Sequence, residues 1–217
     1  PIASLHGLSV AADRVWVAVE GSDLAIALDP ATLGEQARVA APGRPRSLVR
    51  VGDAVFVHGA QQTTLTRLAA DAASGAETAS LTTTTDPRPE LVVNGQAYFT
   101  GAGRDYAVSW SCNSCHADGL SDTLIWNAGP FAGRKVSRPF FWLEGTWPLG
   151  WDGYLSSVDN YAFTVNTNVG VRPTTAEHRA LSAYLSSLMP PPAANGYTRR
   201  DGTLSELGAR GKQVFED

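Results

Sequence analysis

Through its first 85 residues the chain alternates short apolar runs with turn-forming residues. "RVWVAV" (14–19), "LAIALD" (24–29), "SLVRV" (47–51) and "AVFVHG" (54–59) are β-branched or aromatic runs broken by Gly, Asp and Pro, the pattern of strands joined by tight turns. Val15-Trp16-Val17 and Val55-Phe56-Val57 lie 40 residues apart, and "ASLHGLSVAADRVWVAV" aligns loosely with "RPRSLVRVGDAVFVHGA". A period of about 40 residues with about four strands per repeat predicts β-propeller blades. Two repeats cannot close a propeller. The pattern therefore leaves two solutions open, a partial set of blades or a small antiparallel sandwich. With blades, others are expected upstream of Pro1. The chain begins without methionine and reads as a fragment or a processed form, so the lack of a leader says little about compartment.

"TTTTDPRPE" (82–90) is a polar, proline-containing joint, and the pattern changes after it. "PELVVNGQAYF" (89–99) places Leu91, Val92, Gly95 and Phe99 at helical spacing behind a proline suited to a helix start. "TTAEHRALSAYLSSLM" (174–189) predicts the clearest helix. Thr174 or Thr175 can cap it, Glu177 suits its first turn, and Pro190, Pro191 and Pro192 end it. Its apolar face is Leu181, Tyr184, Leu185 and Leu188. Gly95 with Phe99 makes a notch beside an aromatic knob, into which that face can pack. The stretch between, 117–170, is loop-rich and dense in aromatics. The expected division is a β region over 1–85, a helical unit over 86–198, and a further helix within 199–217. The β region is expected to carry no redox chemistry and to be dispensable to the helical unit.

Composition adds bounds. With 43% hydrophobic and 18% charged residues the chain is ordinary for a globular protein. A net charge of -4 and no basic run give no footprint for a nucleic-acid partner, and no apolar stretch approaches membrane-spanning length. Five of the six tryptophans (Trp110, Trp126, Trp142, Trp147, Trp151) fall within 42 residues. Such a segment either wraps something large and apolar or is itself a core.

Both cysteines and one of the four histidines sit in "SWSCNSCHADGLSD" (109–122). A Cys112–Cys115 disulfide would close a tiny loop and stabilise little. Structural zinc needs a second ligand pair, and His6, His58 and His178 are scattered. A thioredoxin-like dithiol expects a strand-to-helix junction in an α/β unit, which the surrounding pattern lacks. Covalent haem accounts for more. Cys112, Cys115 and His116 at i, i+3 and i+4 share one face of a helical turn. Both thiols can form thioethers with haem vinyl groups, and His116 can bind the iron.

These residues resemble a known family. "GQAYF…SWSCNSCHADGLSDTLIWNAGP", then "AYLSSLMPPPAAN…DGTLSELGARGKQVF", is similar to the first haem domain of bacterial di-haem cytochrome c peroxidase/MauG-like proteins, in particular those with an N-terminal propeller of the YVTN type. The resemblance covers 89–217 well and 1–85 loosely. It implies a multidomain β + α protein, with partial propeller-like blades followed by a mainly α-helical cytochrome c-like domain with long loops. Cys112 and Cys115 would attach haem c, His116 would be the proximal ligand, and the compartment would be the bacterial periplasm. The segment "SELGARGKQVFED" places Gly211 and Phe215 in the same relation as Gly95 and Phe99. It would be the first helix of a truncated second haem domain; a plain surface helix is the alternative.

The distal ligand departs from the family. The segment 147–170 contains neither His nor Met, Asp152 standing where a histidine is expected, so Met189, with His178 behind it, is the candidate for the iron's sixth position. Arg134, Lys135 and Arg138 form a basic cluster. Arg134 and Arg138, with the Trp126 N–H, are candidates to hold the haem propionates; a solvated loop reads equally well. The functional expectation is an electron-transfer haem domain of a periplasmic di-haem oxidoreductase, its partner a redox protein or a second haem domain. Whether this haem is instead a peroxidase centre depends on an open iron position. A β-propeller binding module with a structural or redox C-x-x-C dithiol and no haem is the alternative.

Overall fold

The computed structural model describes residues 5–71, 77–101, 111–127, 133–168, 172–190, 195–199 and 201–217. Trp110, Pro191, Pro192 and the end of the 147–170 segment lie outside the described residues.

Two four-stranded antiparallel meanders come first. The first joins β1 (Leu5–Val10), β2 (Val15–Val19), β3 (Leu24–Leu28) and β4 (Glu35–Ala40), and the second joins β5 (Pro45–Val51), β6 (Ala54–Gly59), β7 (Thr64–Ala69) and β8 (Glu77–Thr82). Each pairs only with its sequence neighbours, so each 40-residue repeat forms one blade-like sheet. The repeated Val-aromatic-Val runs become the second strand of each sheet. Alternate side chains of a strand point to opposite faces. One face of each sheet therefore meets the other in a shared core of Trp16, Ala25, Ala27, Val39, Val55, Val57 and Leu68. β5 lies against β1 and β2.

The second meander ends at Thr82 and helix begins at Glu90. Between them Arg88 grips Asp86 through its guanidinium and its own backbone N–H, and also donates to Gln96 Oε1 at 2.7 Å. The helical part contains α1 (Glu90–Thr100), a one-turn helix α2 (Cys112–Cys115), a small hairpin of β9 (Ile125–Asn127) and β10 (Arg134–Val136), α3 (Val158–Asn168), α4 (Thr175–Ser187) and α5 (Glu206–Glu216).

α4 begins where the sequence places it. The Thr174 hydroxyl accepts from Glu177 N–H, and the Glu177 carboxylate accepts from Thr174 N–H at 2.9 Å, a reciprocal cap. The helix crosses α1 at Gly95, where a Cβ would stand 2.0 Å from the Ala180 carbonyl oxygen and 2.6 Å from Tyr184 Cβ. Only glycine admits that approach. It drives Phe99, 1% exposed, against Tyr184 and Phe140, with ring centroids 5.3 and 5.8 Å away. Leu181, Leu185, Leu143, Leu149, Leu155 and Val158 complete this second core. Leu91, expected on the apolar face, is instead exposed, because it lies a turn ahead of the crossing.

Within the loop-rich segment lies α3, which the sequence did not single out. "VDNYAFTVNTN" is rich in β-branched residues and Asn, which are poor helix formers. Burial of Val158 and Ala162 beside α4 overrides that preference.

Candidate functional site

The site is the turn that carries the two cysteines. Ser114 Oγ accepts from Ser111 N–H at 3.0 Å, tying off the start of α2. One helical turn follows, closed by His116 N–H donating to Cys112 C=O at 3.0 Å. Beyond His116 the backbone reverses through Asp118 (φ 55°) and Gly119 (φ 78°). Both residues are left-handed. At Gly119 a Cβ would also press on Leu188 Cδ1 at 3.2 Å and Phe141 Cε1 at 3.4 Å. Gly119 C=O accepts from Phe140 N–H at 2.7 Å, and this brings the 138–140 segment alongside the histidine.

His116 is oriented from two directions. Its Nδ1 lies 3.0 Å from the Arg138 carbonyl. A carbonyl only accepts, so the proton sits on Nδ1. Burial lowers the imidazole pKa, which favours the neutral ring and leaves Nε2 with its lone pair. The Phe140 ring lies over the imidazole, with centroids 4.0 Å apart and planes 31° apart.

Cys112 and Cys115 are free thiols. Cys112 packs against the Phe99–Tyr184 core, and burial pushes its pKa up to about 11. Burial, with the nearby Asp122 carboxylate, also raises Cys115. Thiol rather than thiolate is the stable form of both, unlike the depressed values of a dithiol oxidoreductase.

The other sequence candidates fall around this turn in different ways. Arg138 reaches His116 through its carbonyl, while its guanidinium carbon lies 3.7 Å over the Trp151 ring. Trp126, on β9, donates its Nε1–H to Asp122 at 2.9 Å. Asp122 also accepts from Ser137 Oγ and from Leu124 N–H. Arg134 is exposed on β10, beside Lys135, which pairs with Asp152 at 3.3 Å. His178 turns away to α3. Its Nε2 lies 3.0 Å from the Asp159 carbonyl and its Nδ1 3.6 Å from the Asp159 carboxylate. Met189 is 63% exposed at the end of α4, next to Leu188, whose carbonyl accepts from Trp142 N–H at 2.8 Å. Trp126, Trp142, Trp147 and Trp151 are all partly or largely exposed, so they do not form a core.

Several side chains that the sequence did not mark join the sheets to the helical part. Arg44 Nη2 donates to Ala97 C=O near the C-terminus of α1 at 3.2 Å, where a cation is favoured. Gln61 Nε2 donates to Val93 C=O at 2.5 Å. Glu20, just after β2, accepts from Asn113 Nδ2 at 3.2 Å. The β region expected to be dispensable is therefore bonded to the cysteine turn itself.

The donor set fits covalent haem. Two protonated thiols one helical turn apart, a neutral imidazole anchored through Nδ1, and an aromatic and aliphatic surround are compatible with such a group. Among the described residues no cluster of three or more His, Cys, Asp or Glu side chains could hold a separate metal ion.

No protein-family model matches the chain, and no curated protein does. Among solved structures it is similar to Kuenenia stuttgartiensis hydrazine synthase pressurised with xenon, at 26% identity and a TM-score of 0.46, over 61% of this chain and 46% of that one. It is also similar to BamB from Moraxella catarrhalis, at 20% identity and a TM-score of 0.33, over 40% of this chain and 25% of that one. The chain thus spans less than half the length of either. No described helix is long and apolar enough to cross a membrane.

Proposed function

We propose that this chain is a c-type haem-binding, electron-transfer unit of a periplasmic oxidoreductase related to di-haem cytochrome c peroxidases, with blade-like sheets of a propeller packed beside it. The observation that carries the reading is the pinned His116. Its Nδ1–H is held by the Arg138 carbonyl and its ring by Phe140, one residue beyond a helical turn that begins and ends in cysteine. A proximal ligand needs this arrangement, because the bond at one ring nitrogen fixes the tautomer and direction of the other.

Haem would supply reversible one-electron iron chemistry. Cys112 and Cys115 would each add their S–H across a vinyl group. Each thiol would give its sulfur to one vinyl carbon and its proton to the neighbouring carbon, with no oxidant or reductant consumed. His116 Nε2 would donate its lone pair to the iron. Phe99, Phe140, Tyr161 and Leu188 keep water from the buried side of the turn. The exposed Trp142, Trp147 and Trp151 offer apolar surface for a large planar group. Met189 is the candidate for the sixth position, since both nitrogens of His178 face Asp159.

The test is maturation of the chain with haem-attachment machinery in an oxidising compartment. The intact mass should exceed the polypeptide by one haem, and the Soret band should stay with the protein through acid–acetone extraction. Cys112→Ala with Cys115→Ala should lose both signals. An unmodified mass from matured protein would refute covalent haem and leave the dithiol module.

A further inference from the structure

We propose that Glu20 is a positioning residue for the cysteine–histidine turn, so that the sheets, rather than the helices alone, set the direction of His116. The inference rests on the haem reading only for its consequence at the iron. The clamp itself is a property of the chain.

Glu20 is 1% exposed and Asn113 is 4% exposed, and they lie 93 residues apart in sequence. Asn113 works in both directions. Its Nδ2–H donates to Glu20 Oε2 at 3.2 Å, and its Oδ1 accepts from Asp118 N–H at 2.9 Å. Residues 113 and 118 stand on either side of Cys115 and His116, so this one amide closes a bracket around both. Arg46, on β5, reinforces it. Its Nε lies 3.2 Å from Glu20 Oε1, and its Nη2 pairs with the Asp118 carboxylate. His6 Nε2, on β1, lies 2.8 Å from Glu20 Oε2. Strands of both sheets therefore meet at one carboxylate, and that carboxylate holds the side chain that shapes the turn.

A buried ion pair is seldom retained for stability, since packed apolar residues often serve as well. Its distinguishing property is direction. Apolar contact tolerates sliding and rotation, whereas hydrogen bonds fail when their geometry drifts. The opposite flank of His116 is fixed by the Arg138 carbonyl, and the Glu20–Asn113 contact fixes the near flank.

The experiment uses the full chain, with and without haem attachment. In the haem-free protein, Glu20→Ala and Asn113→Ala should each speed amide hydrogen exchange across 112–119 by about tenfold, the scale of one lost bond to a charged group. Exchange across 175–187 should change little. Glu20→Gln keeps an acceptor for Asn113 and should restore much of the protection. Gln61→Ala breaks a different sheet–helix bond and should leave 112–119 protected. In matured protein, Glu20→Ala should shift the ferric haem absorption band and Gln61→Ala should not. Unchanged exchange in both Glu20→Ala and Asn113→Ala would overturn the proposal. So would equal loosening by Gln61→Ala, which would mark a general loss of stability. Loosened exchange in a chain that takes up no haem would uphold the clamp and defeat the haem reading. Bound haem with neither exchange nor band altered would do the reverse.

Discussion

Replacing Gly95 with alanine should force apart the α1–α4 crossing on which the helical core depends. The added Cβ would stand 2.0 Å from the Ala180 carbonyl oxygen, 2.6 Å from the carbonyl carbon and 2.6 Å from Tyr184 Cβ. Non-bonded carbon contacts are comfortable only beyond about 3.5 Å, so the helices must separate by about 1.5 Å. Two of the obstructing atoms are backbone, and no rotamer change relieves them. Overpacking of this kind costs about 1–3 kcal/mol. Loosened contacts around Phe99, Leu181, Tyr184 and Leu185 add about 1 kcal/mol, a fraction of their burial. Alanine returns about 1 kcal/mol as a better helix former. With the steric term near its upper end, the net loss is about 3 kcal/mol, or about 6–12 °C in melting midpoint for a chain of this size. Gly211 is the internal control. It occupies the same place in "GARGKQVF" as Gly95 does in "LVVNGQAYF", but a Cβ there meets nothing within 4 Å. Gly211→Ala should strengthen α5 by up to about 1 kcal/mol. Urea unfolding followed by tryptophan fluorescence reads the first effect, and amide exchange within 206–216 reads the second. A Gly95→Ala protein as stable as the parent would refute the crossing as described.

Two further outcomes are expected. The Arg88 guanidinium beside Asp86 holds its carboxyl at about 2, below the ordinary 3.8; because the folded value is the lower, the pairing stabilises the fold above the unfolded value and is lost as pH falls from about 4 toward 2. Asp86→Asn should flatten the decline of the urea midpoint over that interval, and an unchanged slope would show that the pair is not coupled to folding. In matured protein, Met189→Ala should change the ferric absorption spectrum and His178→Ala should leave it intact while lowering the melting midpoint; a spectrum altered only by His178→Ala would reverse the assignment of the sixth ligand.

The elements readable from the chain are those specified by local pattern. The strands at 15–19, 24–28, 45–51 and 54–59 follow from alternating β-branched residues between turn formers. α4 follows from its cap and its apolar stripe, and the Gly95 notch from a glycine and an aromatic four residues apart. The grouping of Cys112, Cys115 and His116 on one turn is legible for the same reason. α3 was not legible, because its residues disfavour helix in isolation and take that form only where Val158 and Ala162 are buried. Nor was the setting of His116. The Arg138 carbonyl carries no side-chain signature, and Phe140 reads simply as one more aromatic. Glu20 and Asn113 are ordinary polar residues in the sequence, separated by β3 to β8 and α1. Only the packing of the sheets against the helices brings the carboxylate and amide within bonding distance, and burial of both side chains there strengthens the contact, because a hydrogen bond is electrostatically stronger in a low-dielectric interior than in water.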